Sequence, residues 1–139
     1  KRYILCSGRI MMSIHGTGVD IVLVDRIHKI YSRRGNAFAA RILSNDEYAI
    51  YIKKHDRVKY LSKCWAVKEA VVKAYGTGFT TPFSPCDIGY TSDGGKPYVR
   101  FSEKIHQSGL LNNKITHLSV SDELTHVIAF VIVENTKDK

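Results

Sequence analysis

The sequence predicts an α+β fold, a small single domain in which antiparallel strands pack against helices. Its 139 residues are the length of one domain. Apolar residues recur at helical spacing in the first half, whereas the second half contains short alternating segments and turn signals. The predicted order is one strand, several helices, two strands, a helix and two strands. This order favours antiparallel hairpins over repeated βαβ units.

The first half is predicted to form one strand followed by helices. Residues 14–24 are apolar and glycine-containing, which is typical of a buried strand. The helices are predicted from apolar spacing, from a capping-box pattern at residues 44–47 and from terminating glycines. They are a helix from Asp25 that breaks at Gly35 and Asn36, a short piece at 37–43, a helix after Ser44 and a longer one at about 58–75.

The second half is predicted to contain two hairpins around a short helix. The signals are alternating polar and apolar residues, one continuous apolar run typical of a central strand, and clusters of turn-forming residues. The predicted elements are strands at residues 87–91 and 98–101 joined by a turn at 92–96, a helix at 103–111, and strands at 115–121 and 127–133 joined by a turn at 122–125.

The net charge of +8 predicts an anionic partner: nucleic acid, an acidic protein, a phosphorylated metabolite or a membrane surface. The basic residues are spread along the chain, whereas a nucleic-acid-binding arm is usually denser. The three cysteines are odd in number and far apart, which argues against a disulfide framework and a structural zinc site. We therefore expect a reducing compartment, and the sequence has no apolar run long enough to span a membrane.

One domain is expected at residues 14–139, after an N-terminal extension at residues 1–13. The chain starts at Lys1, and Met11 or Met12 is an alternative start. We interpret the extension as the remnant of a longer precursor or as added sequence.

Asp20 is unusual because it lies between Val19 and Ile21 in an apolar strand. A buried carboxylate needs a cation or strong hydrogen-bond donors. Two interpretations stay open at this point: a structural aspartate at a strand end, or a metal ligand.

The predicted helix at about 58–75 carries the second group of candidate residues. Glu69 and Lys73 are neighbours at i and i+4 on the edge of its apolar face, where they could form an ordinary surface ion pair. Lys68 falls inside the apolar arc, so its amino group must reach solvent or meet an anion. One carboxylate and two cations at one helix flank also suit a metal ion and phosphates.

Two further groups are candidates for phosphate binding. His117, Ser119 and Ser121 alternate along a predicted strand and share one face. Such a row either faces solvent or supplies hydroxyl and imidazole donors to phosphate oxygens. Lys96 follows two glycines in a predicted hairpin turn, and its amino group could also meet a phosphate. The P-loop and Rossmann glycine motifs are absent.

Together these segments resemble the holo-acyl-carrier-protein synthases, the small class of 4′-phosphopantetheinyl transferases. They occur in the order of that family and at similar spacings, and they span about residues 14 to 134. The matching segments are GVDI at 18–21 with Arg26 and Ile27 downstream, WAVKEAVVKA at 65–74, GTG at 76–78, GKP at 95–97 and HLSVS at 117–121.

The resemblance implies an enzyme that moves the 4′-phosphopantetheine arm of coenzyme A to a serine of apo acyl carrier protein. It implies a magnesium ion, release of adenosine 3′,5′-bisphosphate and a role in fatty acid biosynthesis. It also implies a homotrimer with active sites between subunits. No nucleic-acid or membrane partner is expected. The cytoplasm is the expected compartment, and an organelle such as a plastid is the alternative.

The resemblance also assigns roles to residues. Asp20 and Glu69 match the magnesium ligands, and Glu69 is our candidate for the base that activates the serine. Lys73 and His117 match positions that contact the phosphates of coenzyme A, and Lys73 is the second catalytic candidate. Lys96 lies in the segment that approaches the nucleotide end of coenzyme A. Lys68 and Ser119 are further cofactor-binding candidates from the same motifs. The expected carrier-protein contacts are Arg26, Arg33, Phe38 and Arg41.

Two positions depart from the family pattern. Trp65 stands where the family usually has phenylalanine, and Cys64 stands where some members have a phosphate-binding arginine, with Lys63 as the candidate replacement. Two other functions are alternatives: a small basic nucleic-acid-binding domain, and a non-catalytic scaffold that docks acidic proteins. The first of these explains the net charge of +8 but not a carboxylate inside an apolar strand.

Overall fold

The computed structural model describes residues 13–136, and it confirms the α+β class. The elements are β1 (Ile14–Leu23), α1 (Val24–Ile42), α2 (Asn45–Tyr51), α3 (Arg57–Tyr75), a 3₁₀ turn (Pro85–Asp87), β2 (Ile88–Asp93), β3 (Lys96–Phe101), α4 (Glu103–Gln107), β4 (Lys114–Asp122) and β5 (His126–Asn135). The predicted extension at residues 1–13 lies outside the described residues except for Ser13, so that boundary stays a prediction.

Three strands form an antiparallel sheet in the order β1-β5-β4, and β2 and β3 form a separate antiparallel ribbon. The continuous apolar run was correctly predicted as the central strand, β5. Its inner residues are completely buried, at Val127, Ala129, Val131 and Val133. Burial alternates along all three strands, so the sheet has one face on the core and one open face.

Helix α3 packs across the inner face of the sheet against β1 and β5. Its N-cap Asp56 accepts a hydrogen bond from the backbone N–H of Lys59 at 2.9 Å, and Gly76 ends it in the left-handed conformation with φ 71°. Two glycines bring β1 close to this helix. A Cβ atom at Gly16 would lie 2.2 Å from the carbonyl oxygen of Ala74, and one at Gly18 would lie 1.9 Å from that of Ala70.

Helix α1 bends at Gly35, where φ is 50° and ψ is −129°. The predicted break is therefore confirmed, although helical structure resumes directly after it. Helix α2 has the predicted capping box between Ser44 and Glu47. Helix α4 ends at Gln107 and is shorter than predicted, because the chain turns through Gly109 at φ 76°. Within residues 13–136, no helix is long and apolar enough to cross a membrane.

Candidate active site

Asp20 lies on the inner face of β1, two residues beyond the close contact at Gly18. Its side chain is 16% exposed, and Oδ1 accepts a hydrogen bond from Lys73 Nζ at 2.8 Å. The same amino group donates to the backbone carbonyl of Val19 at 3.0 Å. The cation that a carboxylate needs in an apolar strand is thus supplied by a residue 53 positions later.

Glu69 lies one helical turn before Lys73 on α3 and lines the same cavity as Asp20, which has a volume of about 510 Å³. Burial raises the pKa of the Glu69 carboxyl, and the negative charge of Asp20 raises it further. Lys73 and Arg26 act in the opposite direction without cancelling the increase. The structure therefore brings Asp20, Glu69 and Lys73 together, and nearby cations compensate the half-buried Glu69 carboxylate only in part.

The donor set fits magnesium better than zinc. Within residues 13–136, no three His, Cys, Asp or Glu side chains converge on one point. Structural zinc sites take four protein ligands and catalytic ones take three, whereas magnesium is often held by one or two carboxylates, waters and substrate phosphates. Asp20 and Glu69, on an open cavity, match this second pattern.

Lys68 does not join this site, which corrects its predicted role in cofactor binding. Its side chain has no exposed surface, and Nζ lies 2.6 Å from Oε2 of Glu47, which is itself only 1% exposed. The amino group also donates to the carbonyl of Ile88, and Glu47 Oε1 accepts from the backbone N–H of Tyr90 at 2.7 Å. Lys68 thus meets an anion within the protein.

His117 and Ser119 lie on the open face of the sheet, opposite to the face that carries Asp20. His117 is paired across β5 with Ile132, and its Nε2 lies 2.9 Å from Oε2 of Glu134. Because β1 and β4 are the two edges of the sheet, neither residue reaches the carboxylate pair of its own chain. The structure does not bring these two predicted phosphate ligands to the site.

Lys96 begins β3 and is also apart from the carboxylates, with its amino group 5.6 Å from the centre of the Tyr98 ring. Its hairpin borders a second, basic cavity of about 580 Å³. Sequence reasoning did not identify this cavity, which is lined by Lys54, Lys59, Lys63, Thr91 and Ser92 among others. Lys63 is already paired with Asp122, with Nζ 2.7 Å from Oδ1.

The predicted carrier contacts divide between two cavities. Arg26 lines the carboxylate cavity. Arg33, Phe38 and Arg41 line a neighbouring groove of about 620 Å³, which also contains Lys29 and Arg34. We call this the basic groove. Its additional cations were not predicted, although Lys29 and Arg33 stand one helical turn apart, a spacing that places them on one face.

The carboxylate cavity and the basic groove share three apolar wall residues: Ile30, Phe38 and Trp65. The Trp65 ring stacks on Phe79 with centroids 5.5 Å apart. The tryptophan that departs from the family pattern thus forms a wall between the groove and the carboxylates.

A family model described as the 4′-phosphopantetheinyl transferase superfamily matches residues 16–130. The chain belongs to this family. It is 43% identical over 124 residues to the holo-[acyl-carrier-protein] synthase of Nitrosospira multiformis, covering 87% of this chain and 98% of that protein. The enzyme class that the resemblance predicted, a phosphopantetheinyl transferase of the holo-[acyl-carrier-protein] synthase kind, is confirmed.

Solved structures support the same assignment. The holo-[acyl-carrier-protein] synthase of Neisseria meningitidis superposes with a TM-score of 0.83 at 37% identity, covering 88% of this chain and 99% of that one. The synthase of Bacillus anthracis, solved in complex with CoA (3′,5′-ADP), gives a TM-score of 0.74 at 32% identity, with coverage of 88% and 98%. Family membership therefore favours the enzyme over the nucleic-acid-binding and scaffold alternatives.

Proposed function

We propose that this transferase moves the 4′-phosphopantetheine arm of coenzyme A to a serine of apo acyl carrier protein. The proposed reaction depends on magnesium, releases adenosine 3′,5′-bisphosphate and serves fatty acid biosynthesis. The observation that carries the proposal is the convergence of Asp20 and Glu69 in a cavity beside the basic groove, with Lys73 bound to Asp20. The coenzyme A bound to the Bacillus anthracis relative supports the donor substrate.

In this proposal Asp20 and Glu69 hold magnesium, which neutralises charge on the diphosphate of coenzyme A when bound. The serine hydroxyl attacks the phosphorus that carries the pantetheine arm, and the bond to the bridging oxygen of the diphosphate breaks. Glu69 accepts the serine proton, since its raised pKa moves it towards the range of a useful base. Lys73 is 49% exposed and can turn from Asp20 to the leaving phosphate.

The basic groove is our candidate for the carrier-protein surface. Four cations line it, and a net charge of +8 favours an acidic partner. Arg33, Phe38 and Arg41 would contact the carrier there, whereas Arg26 would act nearer to the reacting groups. We place the nucleotide end of coenzyme A towards Lys96 and its basic cavity.

We also propose a homotrimer with active sites between subunits. The open face of the sheet exposes large apolar side chains, including Ile21 at 62% and Phe130 at 41%. Patches of this kind mark protein contacts. His117 and Ser119 lie on the same face, so a neighbouring copy could bring them to the phosphates. The cytoplasm is the proposed compartment because similar curated proteins come from bacteria such as Nitrosospira multiformis, and an organelle such as a plastid is the alternative.

The direct test is incubation of the chain with coenzyme A, magnesium and an apo carrier protein, followed by mass spectrometry of the carrier. The carrier should gain the mass of the arm. Asp20→Asn and Glu69→Gln should each lower the rate by about 100-fold or more, because each removes a charge that holds the metal. Glu103→Gln on α4 is the matched control, since its exposed carboxylate contacts only Gln107 among the hydrogen bonds described. Full activity in either site variant would contradict the metal assignment.

A further inference from the structure

The basic groove lies in the bend of α1. Arg33 and Arg34 line it from the arm before Gly35, and Phe38 and Arg41 line it from the arm after Gly35. The width of the groove therefore depends on the angle at which the two arms meet. Glycine readily adopts the positive φ of this bend, but it does not stiffen the chain there.

One buried side chain contacts both arms of the bend. The Tyr51 hydroxyl, at the end of α2, donates to Asn36 Oδ1 at 2.7 Å. The Tyr51 hydroxyl also forms a second, longer hydrogen bond with the hydroxyl of Tyr31, at 3.3 Å. Tyr51 is the donor to both oxygens and has a single proton, so the shorter bond to Asn36 is the main one and the contact with Tyr31 is secondary. The two partners flank Gly35 on either side.

Tyr51 is itself held firmly. Its side chain is completely buried, its ring lies 5.4 Å from that of Tyr48, and the guanidinium of Arg57 lies 5.1 Å above it. Burial is the main cause that raises the pKa of Tyr51 to about 12, and the hydrogen bond with Tyr31 raises it further. The hydroxyl therefore keeps its proton at physiological pH. Tyr51 does not line the basic groove, and its effect on the groove must pass through α1.

We propose that Tyr51 is a positioning residue for the carrier protein: its hydroxyl joins the two arms of α1 and fixes the width of the basic groove. This inference rests on the proposed function, because it assigns the groove to the carrier. The same bend places Phe38 in the wall shared with the carboxylate cavity. A looser bend would weaken carrier docking and leave the carboxylates in place, since Asp20 and Glu69 lie on β1 and α3.

The test is steady-state kinetics of Tyr51→Phe, with carrier protein and coenzyme A varied separately. The KM for the carrier should rise about fivefold to tenfold, the effect expected from loss of one hydrogen-bonding partner. The KM for coenzyme A and kcat at saturating carrier should stay at the wild-type values. Tyr48→Phe is the matched control, because it removes a hydroxyl from the same helix, and no hydrogen bond from that hydroxyl to α1 is described within residues 13–136.

Asn36→Ala breaks the shorter bond from its other end. It should raise the carrier KM in the same way, and the double variant should show much less than the sum of the two effects. An unchanged carrier KM in Tyr51→Phe overturns the inference, as does an equal rise in both KM values with a fall in Tm, which would indicate general destabilisation. Absence of transfer by the wild-type chain overturns the proposed function and the inference together.

Discussion

At the scale of the residue, the two lysines of the KEAVVK segment have different tasks. Lys73 is half exposed and binds Asp20, and the proposed function assigns it to the phosphates of coenzyme A. Lys68, five residues earlier, is completely buried against Glu47. Through Glu47 it connects α3 to the start of α2 and to β2. Lys68 therefore supports the helix that carries Glu69.

Lys68→Met tests this structural role. Removal of the cation leaves the Glu47 carboxylate buried and uncompensated, which should lower the free energy of unfolding by about 3–5 kcal/mol. Urea denaturation measures this change. The double variant with Glu47→Gln should recover part of the loss, because the amide carries no charge and its oxygen can still accept from the backbone. A higher KM for coenzyme A without loss of stability would instead return Lys68 to the cofactor site.

At the scale of the element, the site depends on the contact between β1 and α3. Strand β1 carries Asp20, and helix α3 carries Glu69 and Lys73. Their separation is set by Gly16 and Gly18, whose missing side chains allow the strand to approach the helix backbone. This close approach is the physical reason for glycine in the GVD segment.

Gly18→Ala should separate β1 from α3, because the new methyl group would lie 1.9 Å from the Ala70 carbonyl oxygen. We expect a loss of at least about 1–3 kcal/mol in the free energy of unfolding, together with loss of transfer as Asp20 moves. Thermal denaturation and the carrier assay measure the two effects. Gly89→Ala on β2 is the control, since its methyl group meets nothing nearer than the Ser44 hydroxyl at 3.3 Å. Equal behaviour of the two variants would refute this account.

At the scale of the whole molecule, one chain separates the predicted metal ligand Asp20 and two predicted cofactor-binding residues between the two faces of its sheet. Asp20 faces α3, whereas His117 and Ser119 face outward beside the exposed apolar side chains of β1 and β5. The proposed trimer would bury that apolar surface and complete the site with residues of a neighbour.

A complementation experiment tests the shared site. The wild-type chain should show a mass of about three times 15.7 kDa by light scattering. The Asp20→Asn and His117→Ala variants should each have low transfer activity alone, because each substitution removes one required residue from every site of its trimer. Trimers assembled from an equal mixture should regain about a quarter of the wild-type activity, because that share of sites combines two intact residues. A mixture no more active than the separate variants would mean that each site lies within one chain.

The sequence by itself determined the features that depend on near neighbours. The capping box at Ser44, the glycine that ends α3, the break at Gly35 and the alternation of β4 all follow from contacts within a few residues. Local pattern also marked Asp20 as unusual, because a carboxylate in an apolar strand requires a partner. The identity of that partner remained open.

Only the tertiary structure decided which distant residues meet. It paired Asp20 with Lys73 and Lys68 with Glu47, although both lysines lie on one helix flank in the sequence pattern. It placed His117 on the face opposite to Asp20 and joined the two arms of α1 through Tyr51. These contacts join residues that are 15 to 53 sequence positions apart, and helical or strand periodicity contains no information about packing at that distance.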